Sequence, residues 1–197
     1  MPGILSIIKA NSSHAEIISH IGKSAFRQAF EHSFESREEL QQYLDHTYDI
    51  DKLAVSLNKE NNIYFLALLD ELPVGFAKLK KHSLNQQIDS FGQTELQKIY
   101  VLFEHHGAGA GDGLLQECIN LAREVQADEL WLDTHISNGR AIRFYERHGF
   151  KKQDKYFFSI STQQFEYDLM TLNMRSTVNS QNPKLETHNS KLITLNS

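Results

Sequence analysis

Residues 106–113 read His-Gly-Ala-Gly-Ala-Gly-Asp-Gly, and the interpretation of the chain begins with this segment. It holds four of the ten glycines in the sequence, between the β-prone run Glu95–Phe103 and an amphipathic helical pattern over Gly109–Gln126. Glycines at such a junction let the backbone turn tightly and direct several N–H groups to one place. The N-terminus of the following helix adds partial positive charge. The pattern therefore predicts a site for a phosphate or pyrophosphate, with a glycine-rich turn that binds no ligand as the alternative.

The spacing of these glycines disfavours the common nucleotide-binding loops. The dinucleotide pattern G-x-G-x-x-G meets Asp112 or Leu114 where its third glycine belongs, and no lysine follows a glycine as a triphosphate-binding loop requires. An acidic residue does stand at Asp133, near the place where a dinucleotide site has its ribose ligand. A dinucleotide-binding oxidoreductase therefore remains an alternative.

A second segment, Asn138–Phe150, reads NGRAIRFYERHGF. It resembles the signature N-x-x-A-x-x-F-Y-x-x-x-G-F of the GCN5-related N-acetyltransferase (GNAT) family at every fixed position. The segment His106–Gly111 is similar to the acyl-CoA loop of the same family, in which Arg or Gln is followed by two residues, Gly, one residue, and Gly or Ala. His106 departs from the usual Arg or Gln, and Phe103 stands where a proline is frequent.

The resemblance implies an acetyl-CoA-dependent N-acetyltransferase that transfers the acetyl group directly to a primary amine of a small molecule, a polyamine or a peptide. It implies that Tyr145 protonates the leaving thiolate and that Glu95 acts as the base, usually through water. Asn138 and backbone groups of the preceding strand would bind the pantetheine, and an N–H near Val101 would stabilise the oxyanion. The residues expected at the cofactor are Ile99, Tyr100, Val101, His106, Gly107, Ala108, Gly109, Ala110, Gly111, Asn138, Phe144 and Tyr145.

The order of apolar patterns predicts the fold class. Alternating and helical periodicities give the order β, α, α, β, β, β, α, β, α, β, β, with a further helical turn over Asp49–Leu57. Helical patterns cover His14–Phe30 and Asn138–His148, and Ser36 followed by Glu39 resembles a capping box that opens the second helix. Asp70–Pro73 separates the second and third strands of the order. We expect an α/β protein of the α+β type, with a mixed, mostly antiparallel sheet of six to seven strands and helices on both faces. Residues 1–174 would form the acetyltransferase domain, and the polar residues 175–197 a flexible tail.

Composition limits the function classes further. The net charge is −5, which argues against a broad nucleic-acid surface, and Cys118 is the single cysteine, so no intramolecular disulfide forms. The apolar runs are too short for a membrane span. We therefore expect a soluble, cytoplasmic monomer or homodimer without a metal site. Cys118, on the apolar face of its helix, is expected in the core rather than as a nucleophile.

The acceptor is indicated only by charge and by resemblance. Seven acidic residues and one arginine lie between Glu31 and Asp51, and an acidic rim would attract a cationic amine. The alternative explanation of this charge is a solvated helix face. The run Tyr48–Leu57 followed by Asn62–Leu69, and the later stretch Glu166–Met170, resemble the bacterial polyamine acetyltransferases of the PaiA branch. The alternative function is an acyl-CoA-binding regulator of the same fold with little catalytic activity, suggested by His106.

Overall fold

Seven strands form one sheet in the order β1-β2-β3-β4-β5-β7-β6 in the computed structural model, which describes residues 3–160 and 163–175. All neighbouring strands are antiparallel except β4 and β5. The strands are β1 (Leu5–Lys9), β2 (Asn62–Leu69), β3 (Leu72–Lys81), β4 (Gln93–Val101), β5 (Glu129–His135), β6 (Lys151–Ile160) and β7 (Gln163–Asn173).

Five α-helices cover the two faces of the sheet. They are α1 (Ala15–Phe30), α2 (Arg37–Thr47), α3 (Ile50–Leu57), α4 (Ala110–Glu124) and α5 (Gly139–Arg147). The predicted cap of α2 is confirmed, because Ser36 Oγ accepts a hydrogen bond from the Glu39 N–H at 3.2 Å. In the same way Asp49 caps α3 by accepting from the Lys52 N–H at 2.9 Å.

Each face of the sheet has its own apolar core. Helices α1 to α3 pack on one face, where Ile18, Leu44 and Phe76 are fully buried. Helix α4 covers the other face, where Leu114 and the strand residue Leu132 are buried, and part of α5 joins it there. The predicted α+β class, with a mostly antiparallel sheet and helices on both faces, is confirmed.

Several predicted strand ends differ from the structure. The β2–β3 connection was expected over Asp70–Pro73, but it consists of Asp70 and Glu71 alone, with φ of +48° and +67°. Two central residues with positive φ match the twist of a hairpin, so β3 pairs from Leu72 onward. The strand expected over Glu95–Phe103 ends at Val101, because a short 3₁₀ turn begins at Phe103. The predicted tail lies outside the described residues from residue 176 onward.

The sheet divides between β4 and β5. These strands pair only over Gln93–Glu95 and Glu129–Trp131, although both continue beyond the last pair. Strand β4 stays with β3, and β5 stays with β7 as far as His135. A bulge accompanies the separation: Lys78 pairs with Lys98 and Leu79 with Leu96, which leaves Gln97 as the extra residue. We call the space between the diverging strands the gap.

Candidate active site

The backbone of β4 turns hydrogen-bond donors toward the gap. The Leu102 N–H donates to the Val74 carbonyl of β3 at 2.9 Å, so its amide points away from β5. Amides of successive strand residues point to opposite edges. The N–H groups of Ile99 and Val101 therefore face the gap. The Tyr100 amide faces β3 instead, and its half-buried side chain lies on the face covered by α1 to α3.

The glycine segment forms the turn that leads into α4. Gly109 is the N-cap of this helix in a left-handed conformation, with φ +84° and ψ −4°, and Gly107 has φ +90°. These angles strain any residue with a Cβ, which explains glycine at both positions. The first-turn N–H groups of α4 have no partner within the helix and point out of its N-terminus. The loop from His106 to Gly111 thus has the form of an anion site, at the end of β4 that borders the gap.

The last two glycines of the segment have packing roles. A Cβ on Gly113 would lie 3.3 Å from the Ile7 side chain, so its absence lets α4 lie close on β1. A Cβ on Gly111 would meet the Phe144 ring of α5 at 3.7 Å, an ordinary contact. Asp112 pairs with His148 Nε2 at 3.1 Å, which draws its carboxylate toward α5. The segment is therefore held against both β1 and α5.

His106 does not itself extend a cation toward the loop. Its Nε2 bonds the Val101 carbonyl at 2.9 Å, and its Nδ1 bonds the guanidinium of Arg140, at the start of α5. Because arginine only donates, Nδ1 accepts and Nε2–H donates, which is the arrangement of a neutral imidazole. Burial lowers the pKa of His106, and the charge of Arg140 lowers it further, against the bond to Val101. Arg140 thus brings a guanidinium to the side of the loop where the related loops carry Arg or Gln.

Tyr145 of α5 is buried beside the gap. It is 7% exposed and packs against Phe150 and Phe144, with ring centroids 5.6 and 5.3 Å away. Burial raises the pKa of its phenol well above the usual range, and Tyr100, Cys118 and Asp133 raise it further. Cys118 lies on one face of the sheet and Asp133 on the other, so Tyr145 responds to both. Its phenol is therefore fully protonated at neutral pH.

Two other predicted residues of α5 have clear local partners. Asn138 caps the helix, since its Oδ1 accepts from the Ala141 N–H at 3.1 Å, and this bond uses only the oxygen of the amide. Phe144 is half-buried between the glycine loop and the His148 ring, whose centroid is 4.6 Å away. Phe144 therefore supports the loop by packing.

The predicted base, Glu95, is buried at the last residue of β4 that pairs with β5. Its Oε2 accepts from Ser83 Oγ at 2.7 Å, and its Oε1 accepts from Gln97 Nε2 at 3.3 Å. Both oxygens are therefore bonded to protein groups.

A second carboxylate stands closer to the open part of the gap. Asp133 of β5 lies beyond the last pair with β4, is accessible to solvent, and accepts a hydrogen bond from the Tyr156 hydroxyl of β6. The pKa of Asp133 is raised, mainly because surrounding protein groups desolvate its carboxylate, and the negative charge of Glu95 adds to this. The hydrogen bond from Tyr156 and the positive charge of Lys98 lower the pKa of Asp133 in the opposite direction. Burial lowers the pKa of Lys98, against the charges of Asp133 and Glu95. Lys98 Nζ lies over the Tyr48 ring, 5.3 Å from its centroid.

The Cys118 thiol, which was weighed as a nucleophile, is kept apart from the groups at the gap. Cys118 is fully buried, and burial raises the pKa of its thiol well above the usual range, so it is held as an inert thiol in the α4 core. Within residues 3–160 and 163–175, no three His, Cys, Asp or Glu side chains converge as metal ligands. No helix in this part of the chain is long and apolar enough to cross a membrane.

The expected acidic rim is partly used in local structure. Asp45 pairs with Lys23 at 2.7 Å and Asp49 caps α3, so both carboxylates already have partners. The residues that sequence reasoning missed are Arg140, Asp133 and Tyr156. Arg140 stood inside the recognised signature at a variable position, and Asp133 was weighed only as a ribose ligand. The signal for Asp133 was an aspartate at the end of the strand pattern Glu129–Asp133.

Comparison with known proteins places this geometry in a family. The sequence pattern of the Acetyltransferase (GNAT) family matches residues 23–150. An uncharacterized N-acetyltransferase of Lactobacillus delbrueckii subsp. lactis is 24% identical over 159 residues, which is 80% of this chain and 90% of that protein. Uncharacterized N-acetyltransferases of Mycobacterium bovis and Mycobacterium tuberculosis are 40% identical over 57 residues, 29% of this chain, and the match spans only 36% of their length.

Solved structures share the fold at low identity. PaiA N-acetyltransferase from Thermoplasma acidophilum, crystallised in complex with coenzyme A, has a TM-score of 0.70 at 19% identity, over 86% of this chain and 99% of that one. The ribosomal-protein-S18-alanine N-acetyltransferase from Escherichia coli has a TM-score of 0.63 at 18% identity, over 92% and 100%. Among the described strands only β4 and β5 pair in parallel, so this sheet is not that of a doubly wound dinucleotide fold. Because the family pattern spans residues 23–150, more than half of the sequence, the chain belongs to the GNAT family of acetyltransferases.

Proposed function

We propose that the protein transfers an acetyl group from acetyl-CoA directly to a primary amine of a small, cationic acceptor. The observation that carries the proposal is the gap between β4 and β5. The two faces of the sheet carry chemically different groups at this gap. The glycine loop and Tyr145 belong to the face of α4 and α5, whereas Glu95 and Asp133 project toward the face of α1 to α3. A donor and an acceptor approaching from opposite faces would meet at the gap.

The donor would bind through groups on the first of these faces. The loop from His106 to Gly111 offers backbone N–H groups to the pyrophosphate, and the Arg140 guanidinium adds a charge-assisted donor beside it. The Asn138 side-chain NH₂ and the N–H groups of Ile99 and Val101 would bond the pantetheine and thioester. Coenzyme A in the Thermoplasma PaiA structure supports the choice of donor.

The chemistry follows from groups already at the gap. The Val101 N–H would stabilise the oxygen that becomes negative when the amine attacks the thioester carbon. Tyr145 would give its proton to the sulfur as the C–S bond breaks. Because Cys118 is buried and unreactive, the amine attacks acetyl-CoA itself. For Glu95, whose oxygens are bonded to Ser83 and Gln97, a role as base through water remains a prediction.

The acceptor class is proposed from charge and resemblance. Carboxylates on the acceptor face favour a cationic amine over an anionic one, and the structural similarity to PaiA supports testing polyamines first. Terminal amines of peptides form the second group to test, since the similar Escherichia coli enzyme acts on a protein alanine.

The test follows release of the free thiol from acetyl-CoA with a panel of amines that includes spermidine, cadaverine and an alanyl peptide. We expect acceptor-dependent release, and calorimetric binding of CoA. CoA binding without release above the no-acceptor rate for every amine would refute the enzyme and favour the acyl-CoA-binding regulator. A protein that does not bind CoA would refute both.

A further inference from the structure

We propose that Asp133 binds the ammonium group of the acceptor and takes its proton, and that Tyr156 positions the Asp133 carboxylate for this. The inference rests on the proposed acetyl transfer to an amine and assigns its proton acceptor. The sequence pointed instead to Glu95.

The position of Asp133 is fixed by the alternation of β5. Leu132 is buried in the α4 core, so Asp133 projects from the opposite face. Its alternate neighbours confirm this direction: Trp131 Nε1 donates to the Ser83 carbonyl at 2.8 Å, and the His135 ring lies 6.0 Å from the Phe30 ring of α1. Asp133 therefore faces the acceptor side, beyond the last paired residues of β4 and β5.

Accessibility distinguishes the two carboxylates. Glu95 is 9% exposed and has a protein donor on each oxygen. Asp133 is exposed, and the Tyr156 hydroxyl engages its Oδ2. The other oxygen, Oδ1, is then the atom proposed to meet a ligand N–H. An amine therefore reaches Asp133 from solvent, whereas Glu95 is buried and two of its acceptor positions are already occupied by Ser83 and Gln97.

Aromatic rings extend from Asp133 toward α2. Tyr156 stacks on Tyr167 with centroids 5.8 Å apart, and Tyr167 contacts His135 at 5.4 Å. His135 in turn contacts Phe165 at 5.7 Å, and Phe165 contacts Phe34 at 5.5 Å. Aromatic rings beside a carboxylate suit an alkylammonium ion, because both groups attract the cation. The acceptor class that fits is therefore an alkylamine whose chain runs along these rings.

The electrostatic environment suits a proton acceptor. Desolvation raises the pKa of Asp133, and the nearby charge of Glu95 adds to this. A carboxylate with a raised pKa accepts a proton more readily at neutral pH. The titratable groups that face Asp133 come from every neighbouring element, and they are Glu95, Lys98 and Tyr100 of β4, Tyr43 of α2, Tyr145 of α5, Tyr156 of β6 and Tyr167 of β7.

The proton balance of the step is complete. The ammonium of the acceptor gives one proton to the Asp133 carboxylate, and its lone pair forms the C–N bond with the thioester carbon. The C–S bond breaks, and the thiolate takes the proton of Tyr145. The nitrogen, still carrying its extra proton, returns one to the Tyr145 phenolate through water. Asp133 then releases its proton to solvent, so the reaction liberates one proton for each acetyl group transferred.

The experiment compares Asp133→Asn, Glu95→Gln and Tyr156→Phe, using the amine on which the wild-type protein is most active. Because general base catalysis contributes about 10²–10⁴-fold, Asp133→Asn should lower kcat/KM for the amine by about 100-fold or more. CoA affinity should be unchanged, and Asp133→Glu should recover part of the rate. Tyr156→Phe should lower the rate less and move the acidic limb of the pH profile, which loss of packing alone would not do.

Asp154→Asn is the matched control, because Asp154 is an exposed carboxylate on the strand that carries Tyr156 and bonds Gln87 instead. Its activity should equal that of the wild type. Unchanged kcat/KM in Asp133→Asn, or a large loss in Glu95→Gln alone, would overturn the inference.

A second measurement separates this inference from the proposed function. If the wild-type protein shows no turnover, spermidine binding to the CoA-loaded protein is measured by calorimetry. At least tenfold weaker binding by Asp133→Asn supports the ammonium site even then. Equal binding by Asp133→Asn and the wild type, or no binding by either, overturns it.

Discussion

Two alanine substitutions in the glycine loop should have opposite effects on stability. Gly109 has φ +84°, and a Cβ there would meet only Leu5 Cδ2, at 3.8 Å. Gly109→Ala is therefore strained by its torsion angle and not by a clash. A left-handed conformation costs a residue with a Cβ about 1–2 kcal/mol. In a domain of this size that lowers Tm by about 2–8 °C.

Gly111→Ala should act in the other direction. Gly111 lies inside the first turn of α4, and its Cβ would make an ordinary contact with the Phe144 ring at 3.7 Å. Alanine in a helix is favoured over glycine by about 0.5–1 kcal/mol, so the free energy of unfolding should rise by at most that amount. Tm should rise by about 1–4 °C.

In these two variants, CoA affinity should depend on the backbone geometry of the loop and not on the stability of the protein. Gly109→Ala turns the N–H groups before α4 and should weaken CoA binding by about tenfold, equivalent to about 1.4 kcal/mol. Gly111→Ala directs its methyl group at Phe144, so CoA affinity should be retained. The assays are thermal unfolding by circular dichroism and CoA calorimetry on both variants. Wild-type stability in Gly109→Ala, or loss of CoA binding in Gly111→Ala, would refute this reasoning.

Three further predictions concern charge and proton transfer. Arg140→Gln should weaken CoA binding by about tenfold, because a hydrogen bond to a charged group contributes about 1.5–3 kcal/mol. Adding His106→Arg to that variant should restore CoA affinity. Unchanged CoA affinity of Arg140→Gln in calorimetry would contradict the role of Arg140. Tyr145→Phe should lower kcat by about 100-fold without weakening acetyl-CoA binding, measured by thiol release; full activity would exclude Tyr145 as the acid. Burial lowers the pKa of Lys78 to about 8, so the unfolded chain binds more protons between pH 8 and 10.5 and the wild type should gain stability over that window. Lys78→Met should abolish this gain, and it should stabilise the protein at pH 7 by about 1–2 kcal/mol once the partial exposure of Lys78 is allowed for. The free energy of unfolding in urea is measured across this pH range. If it rises with pH in Lys78→Met as it does in the wild type, the prediction is wrong.

Local patterns were sufficient for most elements of the fold. The apolar spacing predicted α1, α4 and α5 to within a few residues, since an amphipathic helix carries its own period. Ser36 was recognised as a cap because its hydrogen bond is local. The strand ends were less accurate, because they depend on pairing: β3 begins earlier than expected only since Asp70 and Glu71 adopt positive φ.

The site was predictable where it depends on backbone and not where it depends on long-range contacts. The glycine loop and the Asn138–Phe150 signature identified the family and the position of Tyr145. The contact of Arg140 with His106 joins residues 34 positions apart, and that of Tyr156 with Asp133 joins residues 23 apart. Neither of these two contacts can be predicted from a periodic pattern in the sequence. The gap is accompanied by the bulge at Gln97, and the sequence offers no marker for either.

The division between β4 and β5 gives this sheet an edge in its interior. Proteins usually protect outer edges from strand addition by another chain through bulges, charges or covering groups. Here a bulge at Gln97 interrupts the regular edge of β4, and the His106 side chain donates a hydrogen bond to the Val101 carbonyl. A bound pantetheine would complete the hydrogen bonding of Ile99 and Val101. Hydrogen exchange of these two amides should therefore slow on CoA binding, and the protein without CoA should be the form more prone to aggregate through this edge.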